Sequence, residues 1–138
     1  METEYNIVAS LIGFATYFGI SLLFLIAFKA VYAIVTPHAE WKLIKEEKNT
    51  AAAVGFGGAM VGFALAVASA ASNSVSLVDF AIWAGVALVA QLLAFYTVRL
   101  FFMPKIVSRL ENNEVSAGVI LAATNIAVGL MNAACMTY

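Results

Sequence analysis

The sequence contains one cysteine, one histidine and two prolines, and only 11% of its 138 residues are charged. A single cysteine, Cys135, excludes an internal disulfide framework and any metal site built from several cysteines. With one histidine and no cluster of acidic residues, we expect no transition-metal site and no cofactor. The formal net charge of −1 offers no bulk attraction for polyanions, so we expect no nucleic-acid partner.

Apolar residues dominate the composition and make up 64% of the chain. Soluble domains are usually about 45–50% apolar, with about a quarter of their residues charged. A water-soluble fold this short has too much surface for its volume to bury so many apolar side chains. The composition therefore predicts an integral membrane protein, and the length suits a single domain over residues 1–138.

Four apolar stretches are long enough to cross a bilayer as helices, which takes about 20 residues each. The acidic N-terminal residues and the length of the first stretch argue against a cleavable signal peptide. We therefore predict an all-α integral membrane fold with four transmembrane helices. These helices are expected at residues 7–35, 50–72, 77–103 and 114–137.

The basic residues predict the orientation of these helices. Five of the seven lysines and arginines lie in two connectors, and Lys29 and Arg99 lie near the helix ends that lead into them. The N-terminus, the turn at residues 73–76 and the C-terminus carry none. The positive-inside rule then places both connectors in the cytoplasm and both termini on the periplasmic or extracellular side. Lys29 and Arg99 are expected to extend toward the headgroups, with an anionic lipid or a partner's acid as alternative contacts.

The two halves of the chain resemble each other. Pro37 and Pro104, which are 67 positions apart, each precede a basic connector, and Asn49 and Asn113, 64 positions apart, each precede a small-residue helix. Because each half holds two helices, both copies keep the same topology. We therefore predict two parallel-repeated helical hairpins, with repeat halves at about 6–72 and 77–138.

Glycine and alanine form stripes on two of the helices. Gly58, Gly62, Ala66 and Ala70 fall every four residues, and residues 125, 129 and 133 repeat this spacing. Such stripes let helix backbones approach closely in lipid, either within one chain or between copies. We favour a seam between copies, and hence a homo-oligomer, because four thin helices offer more small-residue surface than one bundle easily buries.

Polar side chains within the bilayer are functional candidates by default. A mid-depth set either forms interhelical hydrogen bonds, each worth roughly 0.6–2 kcal/mol, or lines a polar path for small cations or protons through an oligomer. The lack of a charged residue at this depth weakens the case for a proton relay. The set consists of Ser21, Gln91, Thr124 and Asn125.

A second polar set lies near the outer helix ends. Its acid, Asp79, lies three residues after Ser76, which is the spacing of a capping box at a helix start. The alternative interpretation is a cation site that Asp79 forms with Asn73 and Asn132.

The predicted topology argues against an enzyme. His38 is expected in the cytoplasm, whereas Cys135 and Asp79 are expected on the other side of about 30 Å of hydrocarbon. A nucleophile and its base must lie within hydrogen-bond reach, so we expect no thiol–imidazole or imidazole–carboxylate pair. Glu40 is near His38, but in an interfacial turn that we expect to be mobile. Cys135 is expected to be a small buried thiol.

The two basic connectors are expected to form a cytoplasmic face. Thr36 and Pro37 would begin a short amphipathic helix that turns Trp41 toward the membrane. Asn49 or Thr50, and Asn113, would cap the long helices that follow them. The face would bind lipid headgroups or a cytoplasmic protein partner, and its candidate residues are His38, Glu40, Trp41, Lys42, Lys45, Lys105 and Arg109.

Several segments across nearly the whole chain resemble the YjfL-type family of small bacterial inner-membrane proteins, a domain of unknown function. The resemblance implies four spans, a bacterial inner-membrane location and a setting in envelope homeostasis, but no activity. We therefore expect a non-enzymatic, oligomeric membrane module that binds lipid or protein partners. The alternative is a subunit of an oligomeric channel or transporter for small cations or protons. The segments are Thr36-Pro37-His38, Glu40-Trp41, Leu43-Ile44-Lys45, Asn49-Thr50-Ala51-Ala52, Gln91-Leu92-Leu93, Val98-Arg99-Leu100, Met103-Pro104 and Asn132-Ala133-Ala134-Cys135-Met136-Thr137.

Overall fold

The computed structural model of the protein describes residues 6–136. Within this range the chain is helical apart from short turns. The elements are α1 (Ile7–Val35), α2 (Glu40–Lys45), α3 (Thr50–Asn73), α4 (Leu77–Thr97) with a π-helical continuation (Val98–Phe102), α5 (Ile106–Glu111) and α6 (Val115–Ala134).

The predicted all-α fold with four membrane-spanning helices is confirmed. Helices α1, α3, α4 with its continuation, and α6 are each long and apolar enough to cross a membrane. The first span has the predicted bounds, and the second and third end within one residue of the predicted position. The predicted end of the fourth span at Thr137 lies outside the described residues. The arrangement as two repeated hairpins stays a prediction.

Helices α3 and α6 form the centre of the bundle and run parallel to each other. Gly118, near the start of α6, packs on the backbone of Ala51, near the start of α3. At the far ends, the Ser69 hydroxyl donates a hydrogen bond to the Ala133 carbonyl at 2.7 Å. Between these ends, a methyl group at Gly58 would overlap the backbone of Ala122. The two backbones are therefore in direct contact along most of their length.

The small-residue stripes are used inside the chain. Gly58, Gly62, Ala66 and Ala70 are all buried against neighbouring helices, and Gly129 is buried on α6. Packing within one chain, one of the two interpretations of the sequence, accounts for these stripes. The expectation that they face another copy is wrong for these residues, and the homo-oligomer stays a prediction without their support.

Helix α1 lies on the outside of the bundle. Its buried residues are Phe28 and Tyr32, both in its last third. The Phe28 ring stacks on Phe63 of α3 with 4.6 Å between ring centroids. We call the end of the bundle that carries α2 and α5 the connector end, and the opposite end, with residues 73–76, the turn end. The buried part of α1 therefore lies at the connector end.

Two asparagines cap α3 at the connector end. Asn49 accepts a hydrogen bond from the Ala52 N–H at 2.8 Å, as predicted. Asn113 adopts a left-handed backbone conformation (φ 57°), and its side-chain oxygen accepts from the Ala51 N–H at 3.0 Å. The expectation that Asn113 caps its own following helix is wrong. The free N–H groups at the start of α3 lie within its reach, and a helix start leaves four such donors unsatisfied.

Candidate functional site

The segment after α1 carries the histidine and its neighbouring acid into the bundle. Thr36 ends α1 in an extended conformation (ψ 135°), because the residue before a proline disfavours the helical region. Helix α2 then begins only at Glu40. The expectation that Thr36 and Pro37 start this helix is therefore wrong.

His38 and Glu40 form a buried imidazole–carboxylate pair. The His38 Nε2 atom lies 2.6 Å from Glu40 Oε1, and the two side chains are 0% and 4% exposed. The ring of Phe95 on α4 lies 5.7 Å from the imidazole, centroid to centroid. The prediction that no imidazole–carboxylate pair forms is wrong, and Glu40 is buried at the start of α2 and does not lie in a turn. The chain folds back against the bundle at Pro37 and removes both side chains from water.

Burial changes the acidity of this carboxyl group. Desolvation raises the pKa of Glu40 above its ordinary value, because a charged carboxylate is poorly solvated in this environment. The hydrogen bond and charge of His38, and then the Tyr32 hydroxyl, oppose this increase but do not cancel it. Glu40 therefore binds a proton more readily than a solvent-exposed glutamate does.

Tyr32 links this pair to the interior of the bundle. Its side chain is fully buried, and its ring packs against Phe28, Phe56 and Phe95 with 5.5, 5.8 and 6.2 Å between centroids. The hydroxyl is close to both the Glu40 carboxylate and the Asn125 amide. It completes no hydrogen bond of standard geometry with either group.

Gln91 and Asn125 continue the line of polar groups at the middle of α4 and α6. The Gln91 Nε2 donates to the Asn125 carbonyl oxygen at 2.8 Å, and the Asn125 side-chain nitrogen donates to the Leu121 carbonyl at 3.0 Å. Both side chains are 0% exposed. Their side-chain oxygens lack partners.

These five residues form one feature, which we call the polar track: His38, Glu40, Tyr32, Asn125 and Gln91. Among the described residues, the buried side-chain atoms without a hydrogen-bond partner are Tyr32 Oη, His38 Nδ1, Gln91 Oε1 and Asn125 Oδ1. All four belong to the polar track. Native interiors leave few such atoms, and their concentration at one place marks a candidate site.

Two residues of the predicted mid-depth set belong to the polar track, and two do not. Ser21 donates to the Tyr17 carbonyl at 2.7 Å and Thr124 to the Ile120 carbonyl at 2.9 Å, each within its own helix. The sequence did not single out Tyr32, because a tyrosine near a helix end is typical of the aromatic belt at a membrane surface. The feature that could have identified it is the spacing of Phe28, Tyr32 and Thr36, which places the three side chains on one face of α1.

The predicted outer set makes separate hydrogen bonds. Asp79 accepts from the Val75 N–H at 3.0 Å, and its own N–H donates to the Ser76 hydroxyl at 3.1 Å, so the predicted cap of α4 is present. Asn73 donates to the Ser69 carbonyl at 2.9 Å, and Asn132 to the Ala87 carbonyl at 3.1 Å. The cation site stays a prediction. Residues 6–136 hold no group of three acidic, histidine or cysteine side chains that could bind a metal.

The cysteine lies at the turn end. Cys135 is exposed, so the expectation of a buried thiol is wrong. It directly follows Ala134, the last residue of α6.

The predicted cytoplasmic face divides into buried and exposed residues. His38 and Glu40 are buried in the polar track. Trp41 is 44% exposed, and Arg109 is partly exposed and paired with Glu114 at 2.9 Å. The exposed lysines of the set are Lys42, Lys45 and Lys105.

Two lysines meet the indole ring of Trp41. The Lys29 ammonium lies 4.2 Å from the ring centroid and that of Lys45 lies 5.9 Å from it. Lys29 thus extends from α1 to the connector end, the direction expected from snorkelling. Below the indole is a cavity of about 340 Å³, which we call the connector groove. Its lining residues are Leu25, Ile26, Lys29, Trp41, Ile44, Ala53, Phe56, Gly57 and Met60.

The chain is similar to bacterial membrane proteins over almost its whole length. It is 43% identical over 133 residues to the inner membrane protein YjfL of Escherichia coli, in both strain K12 and O157:H7, covering 96% of this chain and 99% of the relative. It is 29% identical over 126 residues to the transmembrane protein YshE of Bacillus subtilis, covering 90% of this chain and 92% of the relative. No solved structure matches the chain.

A family model agrees with these similarities. The model described as Domain of Unknown Function (DUF350) matches residues 6–136, nearly the full chain. The predicted resemblance to YjfL-type proteins is thereby confirmed, and this chain belongs to the DUF350 family.

Proposed function

We propose that this protein is a non-enzymatic, multi-pass module of the bacterial inner membrane whose connector end faces the cytoplasm and binds anionic lipid. The termini then lie on the periplasmic or extracellular side. The observation that carries the proposal is the pair of ammonium groups over Trp41, whose indole lines the connector groove. The family relatives named as inner-membrane proteins support the location.

The chemistry of the connector groove suits one lipid molecule. Its lining is apolar apart from Lys29 and the indole N–H of Trp41, which matches an acyl chain. The ammonium groups of Lys29 and Lys45 both lie close to the same indole and match a phosphate group. Basic pockets between helices on the cytoplasmic side bind anionic headgroups, with about 1 kcal/mol for each lysine or arginine.

Native mass spectrometry of the detergent-solubilised protein tests this proposal. Phosphatidylglycerol is titrated against phosphatidylcholine for the natural protein and for Lys29→Gln combined with Lys45→Gln. Removing both lysines is expected to cost about 2 kcal/mol of binding free energy. That loss lowers the affinity for phosphatidylglycerol by about 30-fold. The control, Lys42→Gln with Lys105→Gln, removes the same charge from exposed positions outside the groove. An equal loss in both variants would point to a diffuse basic face and would contradict the groove.

Assembly into a homo-oligomer and contact with a cytoplasmic protein are parts of the same proposal. The surface that supports assembly is the first two thirds of α1, toward the turn end, where the large apolar side chains are exposed. Crosslinking in membranes, followed by mass measurement, tests it. A single-chain mass at all crosslinker concentrations would contradict the oligomer.

The second candidate function is a path for small cations or protons. It is favoured by the full burial of Gln91 and Asn125 with unpartnered oxygens at the middle of two spanning helices. Flux of protons, sodium and potassium into proteoliposomes tests it, with Gln91→Leu plus Asn125→Leu as the variant. Loss of flux in a folded variant supports the path. Absence of flux in the natural protein argues for the lipid-binding module alone, and flux that is unchanged in the variant shows that Gln91 and Asn125 do not line the path.

A further inference from the structure

We propose that Glu40 is a proton-binding site at the connector end of the polar track, and that Tyr32 conveys its protonation state to Asn125 and Gln91 at the middle of the bundle. This inference rests on the second candidate function, for which it names the proton as the ion and Glu40 as its point of entry.

Glu40 is held in place on several sides. His38 binds Oε1 at 2.6 Å, and the Tyr32 hydroxyl approaches from α1. The titratable groups that act on Glu40 are thus His38 on its own connector and Tyr32 on α1. Helix α6 contributes the uncharged amide of Asn125 next to Tyr32, and α4 contributes the apolar ring of Phe95 next to His38. Ionisable groups inside a membrane protein are expensive to bury and usually functional.

A proton suits this position better than a metal ion does. The site has one carboxylate, and one of its oxygens is already occupied by His38. No third acidic, histidine or cysteine side chain joins the pair among residues 6–136. Desolvation also favours the protonated carboxyl group. The amides of Asn125 and Gln91 do not titrate, so they respond to the charge of Glu40 without competing for the proton.

His38 provides the route for uptake. Its Nδ1 atom has no partner, while Nε2 contacts the carboxylate. A proton that arrives at Nδ1 allows the ring to release the Nε2 proton to Glu40 Oε1. The imidazole is then neutral in its other tautomer, and the carboxyl group is neutral with one new O–H bond. Charge and protons balance without any further reactant.

The hydrogen bonding of Tyr32 depends on the protonation state of Glu40, because its hydroxyl has two acceptors within reach, the Glu40 carboxylate and Asn125 Oδ1. While Glu40 is charged, the carboxylate is the stronger acceptor for the phenolic proton. Once Glu40 is neutral, its carboxyl group is a weaker acceptor for the phenolic proton, and its new O–H bond on Oε1 is directed at His38 Nε2. The phenolic proton is then available to Asn125 Oδ1, which lacks a partner. Protonation at the connector end thereby changes the hydrogen bonding of the Asn125–Gln91 pair.

Infrared difference spectroscopy of the full chain in lipid nanodiscs tests the proposal directly. A pH titration is expected to reveal the carbonyl band of a protonated carboxyl group, and Glu40→Gln is expected to remove it. Glu114→Gln, which changes an exposed acid, is expected to retain it. Absence of a titrating band in the natural protein, or its persistence in Glu40→Gln, would overturn the proposal.

A second pair of variants keeps the test decisive if Glu40→Gln does not fold. Tyr32→Phe removes the buried hydroxyl and is expected to shift the titration midpoint or frequency of the band. Tyr96→Phe removes an exposed hydroxyl and is expected to leave both unchanged. Equal spectra for the two variants would contradict the coupling through Tyr32.

Proton flux separates this site from the transport function. If the carbonyl band of Glu40 titrates but the protein shows no proton flux, Glu40 is a proton-binding site and the transport function is refuted. Proton flux that Glu40→Gln leaves unchanged keeps transport and refutes Glu40 as its entry point.

Discussion

Gly129 of α6 packs directly on the backbone of Gly62 of α3, and neither residue has room for a side chain. A Cβ atom at Gly129 would overlap Gly62, and one at Gly62 would overlap the Asn125 carbonyl and the Gln91 amide nitrogen. This contact brings α3, α4 and α6 together at the level of Gln91 and Asn125. The closest helix packing and the most buried polar groups therefore share one position.

Substitution of these glycines is expected to weaken the bundle. Gly62→Ala and Gly129→Ala force the two backbones apart, and overpacking of this kind costs about 1–3 kcal/mol. Gly57→Ala is the matched control on α3, because a Cβ there meets nothing within 4 Å. The free energy of unfolding in mixed micelles measures the difference. Equal stability of Gly62→Ala and Gly57→Ala would contradict the close seam.

The asparagine caps of α3 are expected to differ in how they respond to substitution. Asn49→Ala loses the bond from Ala52 and the 2.7 Å bond to the Leu110 carbonyl, which keeps the Asn113 N–H as a donor, at a cost of about 1–2 kcal/mol. Asn113→Ala loses the bond from Ala51 and retains the strained backbone, whereas Asn113→Gly relieves the strain. We expect Asn113→Ala to be less stable than Asn113→Gly, as measured by thermal unfolding. The reverse order would contradict the left-handed conformation.

The stability of the protein is expected to depend on pH through Glu40. The pKa of this group is raised in the folded state above the ordinary value of 4.5, so the folded state binds the proton more tightly than the unfolded state. The stabilising contribution is complete below the ordinary pKa and is lost as pH rises through the folded pKa. Glu40→Gln is expected to remove this decline, whereas Glu114→Gln is expected to retain it. Melting temperatures across pH in nanodiscs measure both.

The outer polar set is expected to act as a cap and not as a cation site. Ser76→Ala removes the acceptor of the Asp79 N–H and is expected to cost about 1 kcal/mol. Asp79→Asn keeps an acceptor for the Val75 N–H, so we expect a small effect on stability and no change in response to cations. Thermal unfolding with sodium, potassium, magnesium and calcium measures the response. Cation-dependent stabilisation that disappears in Asp79→Asn would establish the cation site.

The orientation can be tested with the native cysteine. Cys135 is exposed at the turn end, which the proposed orientation places outside the cytoplasm. A membrane-impermeant maleimide is expected to label it in intact spheroplasts. In the matched variant, Cys135→Ser with Lys45→Cys, labelling is expected only after the membrane is opened. The opposite pattern would invert the orientation.

The sequence alone determined the features that depend on local properties of the chain. Hydrophobic length determines where helices span a membrane, and the four spans were predicted to within a few residues for that reason. The cap of α4 was predictable because Ser76 and Asp79 are three residues apart and meet within one helical turn. The cap at Asn49 was predictable for the same reason.

Tertiary structure decided which polar groups meet. His38 and Glu40 are close in sequence, but only the fold of the connector against α3 and α4 buries them. Asn113 caps α3 because the helix packing brings it there, 62 positions from Ala51 along the chain. Gln91 reaches the Asn125 carbonyl across 34 positions, and Tyr32 lies near both Glu40 and Asn125 only because α1 packs at the connector end. The spans and the helix caps depend on residues that are near one another in the sequence. The polar track depends on how the helices pack together.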